Sequence, residues 1–217
     1  MKKIMFDNAC SLTQAVKECR KTNTRRQEKV LDKEVQKHEE TYKVPFSIVS
    51  QYYDFGKERL VIRTPKEVIY VKPRYKVGEV VAVAQKYEDI YHGLSDREAS
   101  WFLDTLHLRY DDKCARDLPA WRNKEFVLAY LMPHRIRITE VRVERLQDIS
   151  DEDCLREGII EDCQGVQYSF PTEIGYCGQY PFDTPRDAFA ALIDRISGKG
   201  TWKSNPWVFV YEFELVK

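Results

Sequence analysis

The sequence lacks the motifs by which many enzymes and metalloproteins are first recognised. It contains no glycine-rich phosphate loop, no HExxH pair and no GxSxG turn. None of its six cysteines forms a CxxC pair or is spaced with histidines as zinc ligands are. We therefore expect neither a metal nor a cofactor, and we interpret the cysteines as reduced structural thiols. The alternative is a reactive thiol, for which Cys177 in the turn GYCG is the candidate.

Net charge and long apolar segments are also absent. The 35 basic and 35 acidic residues cancel, so contact with nucleic acid requires a local patch of charge. No apolar run approaches roughly 18 residues, and no cationic-then-apolar leader opens the chain. We expect a soluble cytoplasmic protein without a membrane segment. The length of 217 residues predicts one domain with insertions.

Hydrophobic patterning predicts an α+β fold built on a curved or closed mixed sheet. Short β-rich runs between 46 and 72 predict a meander or hairpin, and 80–84 predicts a buried strand. Alternating apolar residues predict a long strand at 135–146, and a change of phase predicts a bulge near its middle, at 139–140. A second alternating strand is predicted at 207–216.

Helices are predicted where apolar residues recur every three or four positions between capping residues. These segments are 8–20, 95–108 and 185–197, with a shorter helix that ends at Glu157. The polar segment 27–43 predicts a solvated helix or a loop.

A cationic segment, CRKTNTRR at residues 19–26, follows the first predicted helix directly. Four of its eight residues are cations: Arg20, Lys21, Arg25 and Arg26. The ordinary interpretation is a solvated helix end, where cations complement the helix dipole. The alternative is a functional turn that brings Lys21 and Thr24 together. That alternative requires the helix to stop near residue 20, because residues three apart lie on opposite faces of a strand.

Several segments together resemble the ASCH family of the PUA-like superfamily. CRKTNTRR resembles the family signature GxKxxExR, and is closer to the variant GRKTxTRR of bacterial and prophage proteins. YKVGEVVAV resembles the turn and strand that follow, and RITEVRVERLQDISDEDCLREGI resembles the central strand and short helix. FDTPRDAFAALIDRISGKGTWKSNPWVFVYEFELV resembles the C-terminal helix, turn and strand. The departures include Cys19 in place of glycine and Thr24 in place of glutamate.

The resemblance covers somewhat over half of the chain and implies its fold and domain organisation. It implies one ASCH/PUA-like domain over residues 1–217, in which mixed strands form a β-barrel with peripheral helices. The segments at about 27–70 and 91–130 would be insertions around that barrel.

For function, the resemblance implies binding of RNA or of a modified nucleoside in a basic cleft. The candidate ligand-binding residues are Arg20, Lys21, Arg25, Arg26 and Tyr176. One branch of the family is similar to amidohydrolases that remove the acyl group from N4-acetylated cytidine. Its catalytic lysine and threonine match Lys21 and Thr24, and matching its LxxxTxxxxxxE spacing onto LQDISDEDCLRE places the glutamate at Glu157. An amidohydrolase is therefore the alternative function, and a phage or mobile-element interaction module without a ligand is the third.

The chemistry of these residues is compatible with either of the first two functions. Crowding by neighbouring arginines is expected to lower the pKa of Lys21, which could then activate Thr24 or a water. Glu157 would transfer a proton toward the leaving amine, and Arg26 would orient the base or a phosphate. Tyrosines of the glycine-rich loop 161–183 are candidates for stacking on a base. The arginines of the strand at 135–146 either extend a basic strip or form the solvent face of a half-buried strand.

Overall fold

A computed structural model describes residues 1–106, 117–162, 164–170 and 182–216 of the protein. In chain order the elements are β1 (Lys3–Ile4), α1 (Leu12–Lys17), β2 (Asn23–Arg26), α2 (Lys29–Tyr42), β3 (Ser50–Asp54), β4 (Arg59–Arg63), β5 (Val68–Val71), β6 (Val80–Val83), α3 (Tyr87–Tyr91), α4 (Asp96–Thr105), α5 (Pro119–Arg122), β7 (Arg135–Arg145), α6 (Asp151–Arg156), β8 (Ile160–Glu161), β9 (Tyr168–Ser169), α7 (Pro185–Ser197), α8 (Thr201–Ser204) and β10 (Trp207–Val216). The α+β class is therefore confirmed. Over the described ranges, none of the sheets closes into a barrel.

The chain divides into two compact units. The first contains Met1–Phe6 and Val80–Ile136 together with the end of the chain, and the second contains Asp7–Glu79 and Arg137–Leu215. The segment 27–70 lies in the second unit and 91–130 in the first. That these segments are insertions in a single domain stays a prediction.

In the first unit, β1 pairs in parallel with β6, with Lys3 opposite Ala82. Its core contains Phe102 and Trp121 among the buried residues of α3, α4 and α5. The capping box predicted at Ser95 is present, because the backbone N–H and the hydroxyl of Ser95 both donate to the Glu98 carboxylate. The predicted start of α4 is thus confirmed, and the end predicted at 108 lies outside the described residues.

In the second unit, β7, β10 and β2 are neighbours in that order, and β10 pairs antiparallel with β2. The change of phase predicted within β7 is confirmed: Ile138 and Val141 are buried, and the two residues between them are exposed. Burial of β10 departs from simple alternation, since Val208 and Val210 are buried as well as its aromatic residues. Both faces of this strand are therefore covered along its first half.

Strands β3, β4 and β5 form the predicted meander as a separate antiparallel sheet of the second unit. Its inner face is buried, as Leu60 and Ile62 illustrate. Gln51 holds β3 against β7, because its side-chain amide donates to the carbonyl of Val143 and accepts from the N–H of that residue, both at 2.7 Å.

The segment 27–43 is the helix α2, and it is solvated only in part because Leu31 and His38 are buried. No helix in the described part of the chain is long and apolar enough to cross a membrane.

Candidate functional site

The candidate site begins where the chain turns after α1. Cys19 adopts a left-handed conformation with φ of 58°, and the N–H groups of the next two residues both donate to the carbonyl of Ala15. Thr22 then donates its N–H to the carbonyl of Arg156, at 2.9 Å, which joins this turn to the end of α6. The helix therefore ends before residue 20, as the functional hypothesis for CRKTNTRR requires, and Lys21 points into the interior.

Glu157 is positioned by the other side of this junction. Helix α6 begins at its predicted cap, since the Ser150 hydroxyl accepts from the N–H three residues later, and it ends just before Glu157. Gly158 follows with φ of 105°, and a Cβ at this position would lie 3.1 Å from a methyl carbon of Leu12. The end of α6 is thus packed closely on α1, and this contact places Glu157 beside Lys21.

Lys21 and Glu157 form a buried ion pair, although they lie 136 positions apart in the sequence. The ammonium contacts the Glu157 carboxylate and also donates to the Glu157 carbonyl at 2.8 Å. The two side chains are only 1% and 5% exposed. Burial is the main cause that lowers the pKa of Lys21; Glu157 opposes the shift, and Arg26 and Arg25 add to it. The direction is as expected, but arginine crowding is not its main cause.

Arg25 connects this pair to further carboxylates. Its fully buried guanidinium donates to Glu144 at 2.7 Å, to Asp153 at 2.7 Å and to Glu157 at 3.3 Å. Arg142 and Arg156 extend the contacts. We call the set that hydrogen bonds join the charge network; its members are Lys21, Arg25, Arg142, Arg156, Glu144, Asp153, Glu157 and Glu212. Glu140, which lies 3.8 Å from Arg142, is outside this set. Four cations face four carboxylates, so the formal charge of the network is zero.

Asp153 is the carboxylate shared by the arginines of the charge network. It accepts from Arg25 at 2.7 Å, from Arg142 at 2.9 Å and from Arg156 at 3.1 Å. Burial raises the pKa of Asp153, but the hydrogen bond and charge of Arg25 and the charges of the other two arginines outweigh it, and the pKa is lowered. Asp153 therefore stays ionised near neutral pH and holds the arginines in place.

A groove of about 440 Å³ is lined by sequence neighbours of the ion pair, but by neither Lys21 nor Glu157. Arg20, next to Lys21, and Arg156, next to Glu157, both line it. Apolar side chains, including Leu155 and Ile159, provide the rest of its surface together with two glutamates. The groove is therefore a surface of mixed polarity at the junction of α1 and α6.

The other predicted site residues are not members of the charge network, or they lie outside the described residues. Arg20 is exposed and contacts Glu18 at 2.6 Å. Thr24 is buried in β2 opposite Tyr211, and strand alternation directs it and Arg26 to the face opposite Arg25. The structure thus brings together Lys21, Arg25 and Glu157. Thr24 lies on the face of β2 opposite Arg25.

The predicted stacking tyrosines of the 161–183 loop are described only in part. Tyr176 and Tyr180 lie outside the described residues, as does Cys177. Tyr168 is described, and its hydroxyl donates to Glu161, a residue that lines the groove, at 3.0 Å.

Carboxylate, histidine and cysteine side chains can serve as metal ligands, and cysteines can also serve as reactive thiols. No group of three or more His, Cys, Asp or Glu side chains within the described ranges is placed to hold a metal ion. Cys10, Cys19 and Cys154 are free thiols, and burial raises the pKa of Cys154 to about 12, so this thiol stays protonated at neutral pH. No protein-family model, curated protein or solved structure matches the chain.

Proposed function

We propose that the chain binds a modified nucleoside in the groove beside the Lys21–Glu157 pair. The observation that carries this proposal is the contact between these two residues, 136 positions apart, together with a groove of about 440 Å³ that their sequence neighbours Arg20 and Arg156 line. Small-molecule pockets commonly measure roughly 300–1,000 Å³. The apolar residues of the groove would cover the face of a base, and Arg20 and Arg156 would donate to its polar edge.

The balance of charge favours a neutral ligand over an RNA backbone at this position. Binding of phosphates depends on unbalanced cations that replace the counterions of the nucleic acid. The charge network offers no such excess, because each of its cations contacts at least one carboxylate. A nucleoside without phosphate needs no excess of cations.

The proposal includes a PUA-like fold of the ASCH type for the matching segments. It is supported by the sequence resemblance and by the order of the elements: β2 after α1, α6 after β7, and β10 after α7. The proposed cytoplasmic location rests on the interpretation of the cysteines as reduced structural thiols.

Hydrolysis of an N4-acylated cytidine is the second candidate function, and the lowered pKa of Lys21 next to a carboxylate favours it. Water would attack the acyl carbonyl carbon and lose its proton to the neutral amine of Lys21. The C–N4 bond would break, and Glu157 would pass the proton to the leaving amine. The products would be cytidine and the free carboxylic acid. Participation of Thr24 stays a prediction.

Calorimetric titration with N4-acetylcytidine and with cytidine tests binding, and mass spectrometry of the same samples tests hydrolysis. We expect Lys21→Met and Arg20→Gln to weaken binding at least about tenfold, the effect of losing roughly 1.4 kcal/mol of contact energy. Lys17→Met, which removes a cation of α1 outside the charge network, is the matched control and should bind as the unmodified protein does.

Each outcome decides between the candidates. Product that disappears in the Lys21→Met protein would support the hydrolase, and binding without product would reject it. A folded protein that binds neither nucleoside would overturn the proposal. Since Arg20 is exposed, Arg20→Gln tests the groove even if changes at the buried pair prevent folding.

A further inference from the structure

The outward face of the meander carries two exposed aromatic side chains in one row. Tyr52 of β3 lies opposite Val61 of β4, which in turn lies opposite Tyr70 of β5. Each tyrosine is 53% exposed, whereas the valine between them is only 2% exposed. We call this surface the sheet face; its outward residues are Ser50, Tyr52, Asp54, Arg59, Val61, Arg63, Val68, Tyr70 and Lys72.

The two rings are placed so that planar groups could stack on them. Neighbouring strands lie about 4.8 Å apart, so the row sets the backbones of Tyr52 and Tyr70 roughly 10 Å apart. Tyr52 makes no ring contact with any described residue. The guanidinium of Arg59 lies 3.9 Å from the ring centroid of Tyr70 and covers one of its faces. Tyr52 therefore offers the more open ring, and Tyr70 offers a ring already paired with a cation.

The sheet face carries an excess of positive charge, in contrast to the charge network. Strand alternation directs Arg59 and Arg63 outward, and Lys72 is the exposed residue that directly follows β5. Asp54 is the only carboxylate among the residues named for this face. Asp54 contacts Arg59 at 3.3 Å, so Arg63 and Lys72, both exposed, supply the excess. The formal charge of +2 is concentrated here although the whole chain has none.

We propose that the sheet face binds single-stranded nucleic acid. One base would stack on Tyr52 and another on the Tyr70–Arg59 pair, and Arg63 and Lys72 would contact phosphates on either side of the row. Exposed rings combined with cations recognise unpaired bases of any sequence, because every base has a stacking face and every nucleotide a phosphate. This binding is additional to the proposed nucleoside site and does not depend on it, since neither Lys21 nor Glu157 belongs to the sheet face.

Fluorescence anisotropy with labelled single-stranded RNA and DNA of the same sequence, and with the corresponding duplexes, tests the proposal. Tyr52→Val keeps a residue suited to a strand and removes the ring, so we expect affinity to fall roughly 5- to 150-fold. Tyr70→Val should cost less, because Arg59 already occupies one face of that ring. Tyr130→Val is the matched control: Tyr130 is 62% exposed but lies in the first unit, and its loss should change nothing.

Two further measurements separate stacking from simple charge attraction. Tyr52→Phe should retain the affinity, because it keeps the ring. Arg63→Gln should lower the slope of log affinity against log salt by roughly 0.7, the value of one phosphate contact on a single strand. Both single strands should bind and both duplexes should bind more weakly, since duplex bases are already stacked.

Three results would overturn the proposal. The first is an absence of saturable binding by the unmodified protein. The second is equal affinity in the Tyr52→Val and Tyr130→Val proteins, and the third is equal binding of single strands and duplexes. Failure of nucleoside titrations alone would leave this inference standing, and failure of oligonucleotide binding alone would leave the nucleoside site standing.

Discussion

Replacement of Glu157 by glutamine would leave the ammonium of Lys21 buried without its carboxylate. The side chain of Lys21 is 1% exposed, so bulk solvent would compensate little of the lost charge. Lys21 would keep its hydrogen bond to the carbonyl of residue 157, which carries no net charge. Removing one partner of a buried ion pair costs about 3–5 kcal/mol. That is a large part of the roughly 5–15 kcal/mol by which proteins are stable.

Substitution of the other member of the pair, Lys21→Met, should lower the free energy of unfolding by a smaller amount. Glu157 would keep Arg25, whose guanidinium donates to it at 3.3 Å, and so would not become an unpaired buried charge. We expect a loss of about 1–3 kcal/mol, the range for a buried group that loses one partner. The double variant removes both charges of the pair, and its loss should be smaller than the sum of the two single losses by about 0.5–3 kcal/mol.

Urea unfolding of the unmodified protein, the two single variants and the double variant at one pH measures these free energies. Repeating the measurements at higher pH adds an independent test. The pKa of Lys21 in the folded protein lies below its ordinary value of 10.5. The unfolded chain therefore binds more protons between the folded pKa and 10.5, and stability rises with pH across that interval. Without Glu157 the pKa of Lys21 falls further, so the stability deficit of Glu157→Gln should shrink as pH rises from the Lys21 pKa of the variant to that of the unmodified protein.

Two results would refute this reasoning. If the two single losses simply add in the double variant, Lys21 and Glu157 do not interact. If the deficit of Glu157→Gln is the same at both ends of the pH range, Lys21 is not the charge left uncompensated.

The remaining predictions concern packing and acid stability. Gly158→Ala should lower the stability more than Gly198→Ala. Both glycines have φ of 105°, but a Cβ at Gly158 would lie 3.1 Å from Leu12, whereas a Cβ at Gly198 would have no neighbour within 4 Å. Backbone strain, which both alanine variants share, should lower the stability measured by thermal unfolding by about 1–3 kcal/mol. Equal losses in the two variants would contradict the close packing of α6 on α1. Burial raises the pKa of Asp153 and of Glu212, but the contacts with arginines outweigh burial, and both pKa values are lowered in the folded protein. The stability that these carboxylates contribute is therefore fully present above their unfolded pKa values of 3.8 and 4.5. It is lost as pH falls through the pKa values of the folded protein. Circular dichroism during acid titration should show a shallower loss of stability in Asp153→Asn, and an unchanged profile would contradict the arginine contacts.

The elements that could be predicted from the sequence are those with local signals. Helix α7 begins and ends as predicted, because Thr184 accepts from the N–H of Asp187, Pro185 follows it, and Gly198 ends the helix. The capping box at Ser95 and the phase change in β7 are local in the same sense. Each depends on residues within a few positions of one another, so spacing alone identifies them.

The charge network could not be predicted in this way. Arg25 reaches Glu144, Asp153 and Glu157 across 119, 128 and 132 positions, and nothing in the spacing of the sequence indicates those contacts. Of the four carboxylates of the charge network, the sequence identifies only Glu157, through the family resemblance. On a strand whose alternate residues are apolar, Glu144 has the pattern of a solvent-facing residue, and the sequence does not show that this face is partly covered. The equal numbers of cations and carboxylates in the chain were the single hint of internal compensation.

Carboxylates neutralise the charges of Lys21 and Arg25 in the cationic segment, and this limits the ligands that Lys21 could bind. A phosphate that bound the ammonium would displace the Glu157 carboxylate, which would then stay buried with Arg25 as its remaining cationic partner among the contacts described. A neutral ligand would leave the Lys21–Glu157 ion pair in place, because it brings no charge that competes with the carboxylate. We therefore expect the proposed nucleoside site to favour a neutral ligand over a phosphate, and we expect the cations of the sheet face, which contact fewer carboxylates, to suit a polyanion better.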